Sequence, residues 1–572
     1  MRRPAPATLA AILLALLPAI LLAALVPDVG RVPRSDYWGA MLRLEAKGAF
    51  AGDLASAAQT LWSFRLGEHR IALPATLWWL NVYATEGDNR ALAGIALGLL
   101  LLIGALLLRR LPHLGRPALA VAVAWWLWSP ARAETLGLAF AGIHYYLASL
   151  FALALLDRAT TPVGDGRHAW LQHPALWPVL GLCATLSFGS SLAVVPAFVL
   201  ALALGRASRV RWAWGGMTLA ALIVPYFAIV YVLKAAIERR DGIGGTVRYV
   251  THFFGLGEGR ATLALLGVGA IAALSAGIVV WRRLRAHGRR VQLSSATVFW
   301  LATAVYAIGC AVLAAVARAG KLGVEQAHAQ RYGFFVALLW AALAALLISG
   351  LAARGPRPAQ IAALATAVLA IAAGLTQLEQ LDIQRAVGRH QAAAEVALRR
   401  GHWDDRLLNN TTTRWPPRLI RFEPTARRLG HVPFDWLTEP WPAQTIPRDR
   451  WSSEAVPRLV VSMASETHDP TVVRLGGKIP KSVEVAEIVA LTTSGELRSD
   501  VVWWRQPGGP VRWDAWVRTD RAVSWPPRVR LEGEDVYRPL PLRRGALTVL
   551  AEAGLVEPAE GRLAVRSRTK SR

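Results

Sequence analysis

Apolar runs recur from residue 8 to residue 376, separated mostly by short polar connections, and this repetition leaves the chain few folds to adopt. A helix needs about 17–25 residues to cross the hydrocarbon of a bilayer. Eleven runs approach or reach that length, near 8–26, 91–108, 117–131, 138–156, 174–188, 190–205, 213–233, 261–281, 295–316, 333–350 and 360–376. Hydrophobic residues make up 54% of the chain and charged ones 18%, with a mean hydropathy of +0.35. Those values point to an integral membrane protein. The expected fold is an α-helical polytopic membrane protein with about 11 spans over residues 1–376.

Basic residues in short loops set the orientation of such a chain. With the N-terminus inside, the inward segments are 1–7, 109–116, 157–172, 206–211, 282–290 and 351–358. They hold about 17 Lys and Arg against 2 acids, whereas the longer outward loops hold about 16 against 12. Positive charge is denser on the inward side, so the N-terminus is expected in the cytoplasm of a cell inner (plasma) membrane. An odd number of spans then leaves the residues after 376 outside. Arg2-Arg3 ahead of the first run also fit a cleaved signal peptide, but the run is nearer twenty residues than twelve, which favours a retained helix. Either way the loop after it lies outside.

The formal charge of +26 would suggest nucleic acid in a soluble protein. Here much of it sits in the inward loops, where it sets topology and meets anionic lipid, so no nucleic-acid partner is expected. Cys183 and Cys310 fall in separate apolar runs and support neither a disulfide framework nor a zinc site.

After residue 377 the composition changes. Residues 377–456 read as a linker, first helical and then rich in Trp, Pro and Arg. Residues 457–572 carry short alternating runs at 459–463, 472–475, 483–491, 500–505, 511–517 and 528–531, bounded by glycine-rich turns. That spacing predicts an extracytoplasmic, mainly β domain, closed by a helix near 545–553. Trp503, Trp504, Trp513, Trp516 and Trp525 read as strand core, with sugar stacking or an interfacial belt as alternatives. The run Asn409-Asn410-Thr411-Thr412 contains glycosylation sequons.

Charged residues avoid the apolar runs and gather in the outward loops, at the depth where an enzyme would meet a lipid-borne substrate. The first of these loops carries Ser35-Asp36-Tyr37-Trp38 and, about thirty residues later, Gly67-Glu68-His69-Arg70. Asp36 could act as general base on an acceptor hydroxyl or bind a divalent ion; equally, Ser35 or Asp36 could cap a helix over 37–47. Arg70 could grip a phosphate with both arms of its fork, or pair locally with Glu68. Glu134, in the turn 129–135, could be an acid or a second metal ligand, or the partner of Arg132. His144 reads as a polar contact between helices. The loop 317–332 offers Arg318, Lys321 and Arg331 to a phosphate headgroup, or simply lets them snorkel.

In this order the motifs resemble bacterial multi-pass proteins related to the GT-C glycosyltransferases. That family pattern runs Asp-x-Trp after the first helix, Asn-Glu-His-Arg before the second, a Glu-Asn-x-x-Trp-x-Phe-Gln turn and a late Arg-Tyr. Here it reads Asp36-Tyr37-Trp38, Gly67-Glu68-His69-Arg70, Glu134-Thr135 and Arg331-Tyr332, with Leu186-Ser187-Phe188-Gly189 at a hairpin. Gly67 and Thr135 stand where the pattern has Asn, and 138–141 lacks its Trp and Gln. The resemblance covers the membrane part and leaves the tail poorly matched.

What the resemblance implies is a GT-C fold and transfer of a sugar from a polyprenyl-phosphate carrier to an envelope glycan, lipid or protein. Asp36 and Glu134 would be catalytic. Trp38, Glu68, His69, Arg70, Arg318, Lys321, Arg331 and Tyr332 would contact the substrate. A divalent metal is compatible with that reading but not required by it, and no other cofactor is implied. An envelope-lipid flippase or transporter, or a glycan-assembly protein without enzymatic activity, are the alternatives.

Overall fold

Helices dominate the computed structural model, which describes residues 6–66, 69–161, 173–205, 207–229, 242–254, 293–322, 326–327, 329–399, 408 and 416–434, strand segments within 460–539, and residues 543 and 546. In chain order the helices are α1 (Pro6–Leu25), α2 (Tyr37–Ala46), α3 (Leu54–Ser63), α4 (Ala72–Thr85), α5 (Asn89–Arg109) and α6 (Arg116–Leu127). Then come α7 (Ala133–Gly137), α8 (Ala139–Thr160), α9 (Leu176–Ser187), α10 (Val194–Leu204), α11 (Arg209–Ile223) and α12 (Gly242–Phe253). The remainder are α13 (Ser295–Leu322), α14 (Gly333–Ala352), α15 (Pro356–Leu375), α16 (Glu379–Arg399) and α17 (Pro416–Arg428).

Among the described residues, six helical segments are long and apolar enough to cross a membrane: Thr8–Asp28, Asn89–Arg109, Ala139–Thr160, Ser295–Arg318, Gln330–Ala352 and Pro356–Ala392. The chain is a multi-pass membrane protein. Four other expected spans form shorter helices, because the apolar runs contain breakers. Pro130 opens a 3₁₀ turn soon after α6, and Phe188 is extended between α9 and another 3₁₀ turn. Beyond α11, Pro225 falls in the 3₁₀ segment Val224–Ile229. Proline lacks the N–H and clashes with the preceding turn, so Pro130 and Pro225 interrupt a helix even where hydropathy runs on. The expected span 261–281 lies outside the described residues, as do Gly67, Glu68, the sequons and nearly all of 545–553.

The chain divides into two compact units. The first comprises Met1–Pro27, Leu44–Leu80 and Arg90–Leu381. Within it α8 is the most enclosed of the long helices, buried along most of its length and packed on α9, α10 and α13. By contrast α1 and α15 expose Leu13, Ile20, Ile361, Leu364 and Val368. In a bilayer those side chains face lipid tails, which are as apolar as they are. Small residues let neighbours approach: a Cβ on Gly374 of α15 would lie 2.3 Å from the Trp125 ring of α6, and one on Gly104 of α5 2.3 Å from Trp128. Indole N–H groups then satisfy backbone carbonyls, Trp125 to Leu14 at 3.0 Å and Trp128 to Leu100 at 3.2 Å.

The second unit comprises Asp28–Arg43, Asn81–Asn89 and Asp382–Arg572, so part of the first polar loop belongs with the chain after residue 381. The physical reason is visible in how the loop's polar groups are satisfied. The Val32 carbonyl accepts from the Gln391 amide at 2.9 Å, Glu86 O accepts from Val432 N at 2.7 Å, and Arg31 pairs with Asp88 at 3.0 Å. The unit also holds strands β3 (Val460–Glu466), β4 (Val472–Ile479), β5 (Val485–Thr492), β6 (Ser499–Arg505), β7 (Val511–Arg518), β8 (Val523–Leu531) and β9 (Tyr537–Pro539). They form antiparallel sheets of order β3-β4-β7-β6 and β5-β8-β9, with Leu475, Trp513 and Val517 buried. The side chains of the other four strand tryptophans lie outside the described residues.

Candidate functional site

In the first unit, a two-residue hairpin of β1 (Arg65–Leu66) and β2 (His69–Arg70) places His69 opposite Leu66. The imidazole stands 4.2 Å from the Phe188 ring and directly over Gly189, where a Cβ would come within 2.4 Å of Nδ1. On α8, His144 stacks parallel to Phe188 at 5.6 Å and lies 4.8 Å from Trp78. Tyr145 meets the edge of Phe188 at 4.9 Å and looks across to Tyr332 at 6.4 Å. Phe188 is extended because α9 has just ended, and this turns its ring into the cluster.

Cations border this aromatic group. The Arg318 and Arg331 guanidiniums each lie 5.5 Å from the centre of the Tyr332 ring, a cation–π distance. Phe253 packs on the same ring at 4.9 Å. Arg132 is almost fully buried and donates to the Gln330 carbonyl at 3.3 Å. A Cβ on Gly333 would lie 2.6 Å from its Nη2, so glycine is what admits the arginine there. Burial lowers its pKa, while Tyr146 and the nearby Glu134 carboxylate oppose the shift, and the group stays charged. Gln330 is tied to Gln380 at 2.7 Å, and Ser129 is hydrogen bonded to Gln377. The turns near 130, 330 and 378 therefore meet at one end of the helices.

The structure thus brings together His69, Arg318, Arg331 and Tyr332, with Glu134 joining through Arg132. Arg70 extends from the same hairpin but toward Trp62, donating to its carbonyl at 3.1 Å and lying over its ring at 5.4 Å. Partial burial and then neighbouring Arg65 pull its pKa down, against Tyr226. Glu68, its expected alternative partner, lies outside the described residues, as does the Lys321 side chain.

Asp36 and Trp38 belong to the second unit. The Asp36 carbonyl accepts the Ala40 N–H at 2.9 Å, so Asp36 does occupy the start of α2. Its carboxylate is largely exposed and 3.6 Å from Arg418 of α17. Trp38 is 0% exposed; its indole donates to the Pro33 carbonyl at 2.9 Å and packs on Phe422 and His431. Placed so, Trp38 holds the loop in shape and offers no face to a substrate. Tyr37 hydrogen bonds to His431 at 2.9 Å. Arg418 and His431 escaped the reading of the sequence, since neither stands in a motif or at a periodic position. Tyr145 and Phe188 were signalled only by the aromatic run 144–146 and the hairpin at 186–189.

Among the described residues, no group of three or more His, Cys, Asp or Glu side chains is arranged to hold a metal. Two guanidiniums beside aromatic rings can bind a phosphate together with an apolar chain or a sugar face. Compared with models of protein families, with curated proteins and with solved structures, the chain matches none of them.

Proposed function

We propose that the chain is a membrane glycosyltransferase of GT-C type, moving a sugar from a polyprenyl-phosphate carrier to a cell-envelope acceptor on the extracytoplasmic side. The observation that carries this reading is the placing of Arg318 and Arg331 on Tyr332, which faces Tyr145, with buried Arg132 against the adjoining Gln330 carbonyl at the same end of the membrane helices. Arginine forks there suit the carrier phosphate, and the aromatic rings suit the first isoprene units or the sugar face. Glu134 assists beside Arg132. Asp36, two-thirds exposed at the start of α2, is assigned as the base that takes the acceptor proton. In this reading the shorter apolar helices and the run 261–281 also cross, giving eleven spans. The strands after residue 460 then form an extracytoplasmic β domain.

The test uses the full chain in proteoliposomes supplied with radiolabelled polyprenyl-phosphate monosaccharides and envelope acceptors, scored by labelled product and released carrier. Asp36→Asn is expected to lower turnover at least ~100-fold, the usual loss when a general base is removed, with unchanged thermal melting. Arg331→Gln should raise the KM for the donor about ten-fold, as expected for one lost charge-assisted bond. Wild-type transfer by Asp36→Asn would remove the residue as base. Translocation of labelled lipid with its covalent structure intact, and no transfer, would make the protein a flippase instead.

A further inference from the structure

At the opposite end of the first unit's helices, a cavity of about 650 Å³ opens between the end of α5, the start of α13 and the end of α14. Two arginines of its lining share a carboxylate buried behind them. Asp157, 1% exposed on α8, receives the Arg110 Nε at 2.5 Å on one oxygen and Arg109 on the other. Two guanidiniums share one carboxylate, so the cluster keeps one net positive charge. Arg110 is further fixed by its bond to the Asp157 carbonyl at 2.8 Å, whereas the Arg109 side chain is 51% exposed. Both line the cavity, with His113 beside them.

The facing wall is the N-terminus of α13. Ser294 caps it, its hydroxyl oxygen accepting the Thr297 N–H at 3.1 Å. Helix geometry leaves the preceding amides of Ser295 and Ala296 without an intrahelical acceptor, and the dipole there favours an anion. Leu346, Ser349 and Gly350 of α14 complete the lining, with a mainly apolar surface. A surplus guanidinium, a helix N-terminus and an apolar wall meet where three membrane helices end.

We infer that this cavity binds a phosphate monoanion or diester, its charge between Arg109 and the start of α13. The site reads phosphate chemistry that either an anionic phospholipid headgroup or a free phosphate could present. The inference rests on the multi-pass helical unit alone and stands whether or not the glycosyltransferase reading does. Arg110, holding Asp157, positions the floor; Arg109 is the contact.

Full-length protein in neutral detergent is titrated with phosphatidylglycerol and with phosphatidylcholine, and bound lipid is counted by native mass spectrometry. Inorganic phosphate is then added as competitor. One phosphatidylglycerol per chain is expected, held at least ten-fold more tightly than phosphatidylcholine. Arg109→Gln should weaken it about ten-fold, the loss of one charge-assisted hydrogen bond. Gly350→Phe should do the same with every charge in place, because a Cβ at Gly350 meets nothing within 4 Å and the ring would project into open space. Displacement by millimolar phosphate would identify free phosphate as a ligand, and resistance to it would identify the lipid. Equal binding of the two lipids, or wild-type binding by Gly350→Phe, overturns the site. Should Arg109→Gln not fold, Gly350→Phe decides alone.

Discussion

His431 sits 0% exposed among Tyr37, Trp38 and Phe422, and its two ring nitrogens have distinct duties. The Val432 carbonyl beside Nδ1 can only accept, so Nδ1 carries the proton and Nε2 accepts from the Tyr37 hydroxyl. Burial pushes the imidazole pKa down to about 4 and the Tyr37 hydroxyl upward. Between that value and the ordinary one near 6.5, the unfolded segment takes a proton that the folded one refuses. Stability of this unit is therefore full above about pH 6.5 and falls as pH drops toward 4, by an amount on the order of 3 kcal/mol. Hydrogen exchange over 416–434 at pH 7 and pH 5 measures it. His431→Gln should flatten the difference, and an unchanged pH slope in that variant would assign it to other groups. Gly87 has a φ of +74°, and a Cβ there would lie 2.3 Å from His431 Nε2, so backbone and neighbour both demand glycine.

The helices meet through glycines set against tryptophans. Gly374 of α15 receives the Trp125 ring, and that indole also serves the Leu14 carbonyl of α1, so one residue organises three helices. Gly374→Val should displace the ring and cost about 1–3 kcal/mol, the usual penalty of overpacking. It would show as a lower melting temperature in detergent, and Trp125→Leu in the same chain should recover part of it. A melting temperature unchanged by Gly374→Val would mean that α6 and α15 are loosely apposed. The glycine's presence is plain in the sequence, but its role is not. Nothing local to residue 374 tells that residue 125 fills the space above it. Likewise Pro130 and Pro225 are legible as breakers, yet hydropathy continues across them and suggests longer helices than form.

Over the whole membrane unit, the turns sort into two sets. Arg110, Asp157 and the start of α13 are bound together at one end, where Trp300 donates to the Arg110 carbonyl at 2.9 Å and Arg211 to the Ala159 carbonyl at 2.6 Å. Ser129, Arg132, Gln330 and Gln377 are bound together at the other. That grouping matches the inward and outward loops separated by their basic residues. With Cys183 and Cys310 replaced by Ala, cysteine at exposed Leu54 should react with an impermeant maleimide in intact cells. Cysteine at Leu114 should react only after permeabilisation. The reverse pattern would invert the chain and place the arginine–tyrosine cluster in the cytoplasm, against the proposed function.

Much of this protein was determined by local chemistry. Apolar runs can satisfy their backbone within a bilayer only as helices, and alternating Val and Trp segments separated by glycine turns form strands. Both follow from residues a few positions apart. What only the tertiary structure decided depends on residues hundreds of positions apart. It gave Asp36, Tyr37 and Trp38 to the unit built from the chain after residue 381, because that chain supplies Gln391, Arg418 and His431 to the loop's polar and aromatic groups. It set Arg132 against the Gln330 carbonyl, 198 residues away in sequence, and Arg318 and Arg331 on one Tyr332 ring, because antiparallel helices bring alternate turns to one end. Periodicity reports how a segment buries its own face; it carries no record of which distant segment covers it.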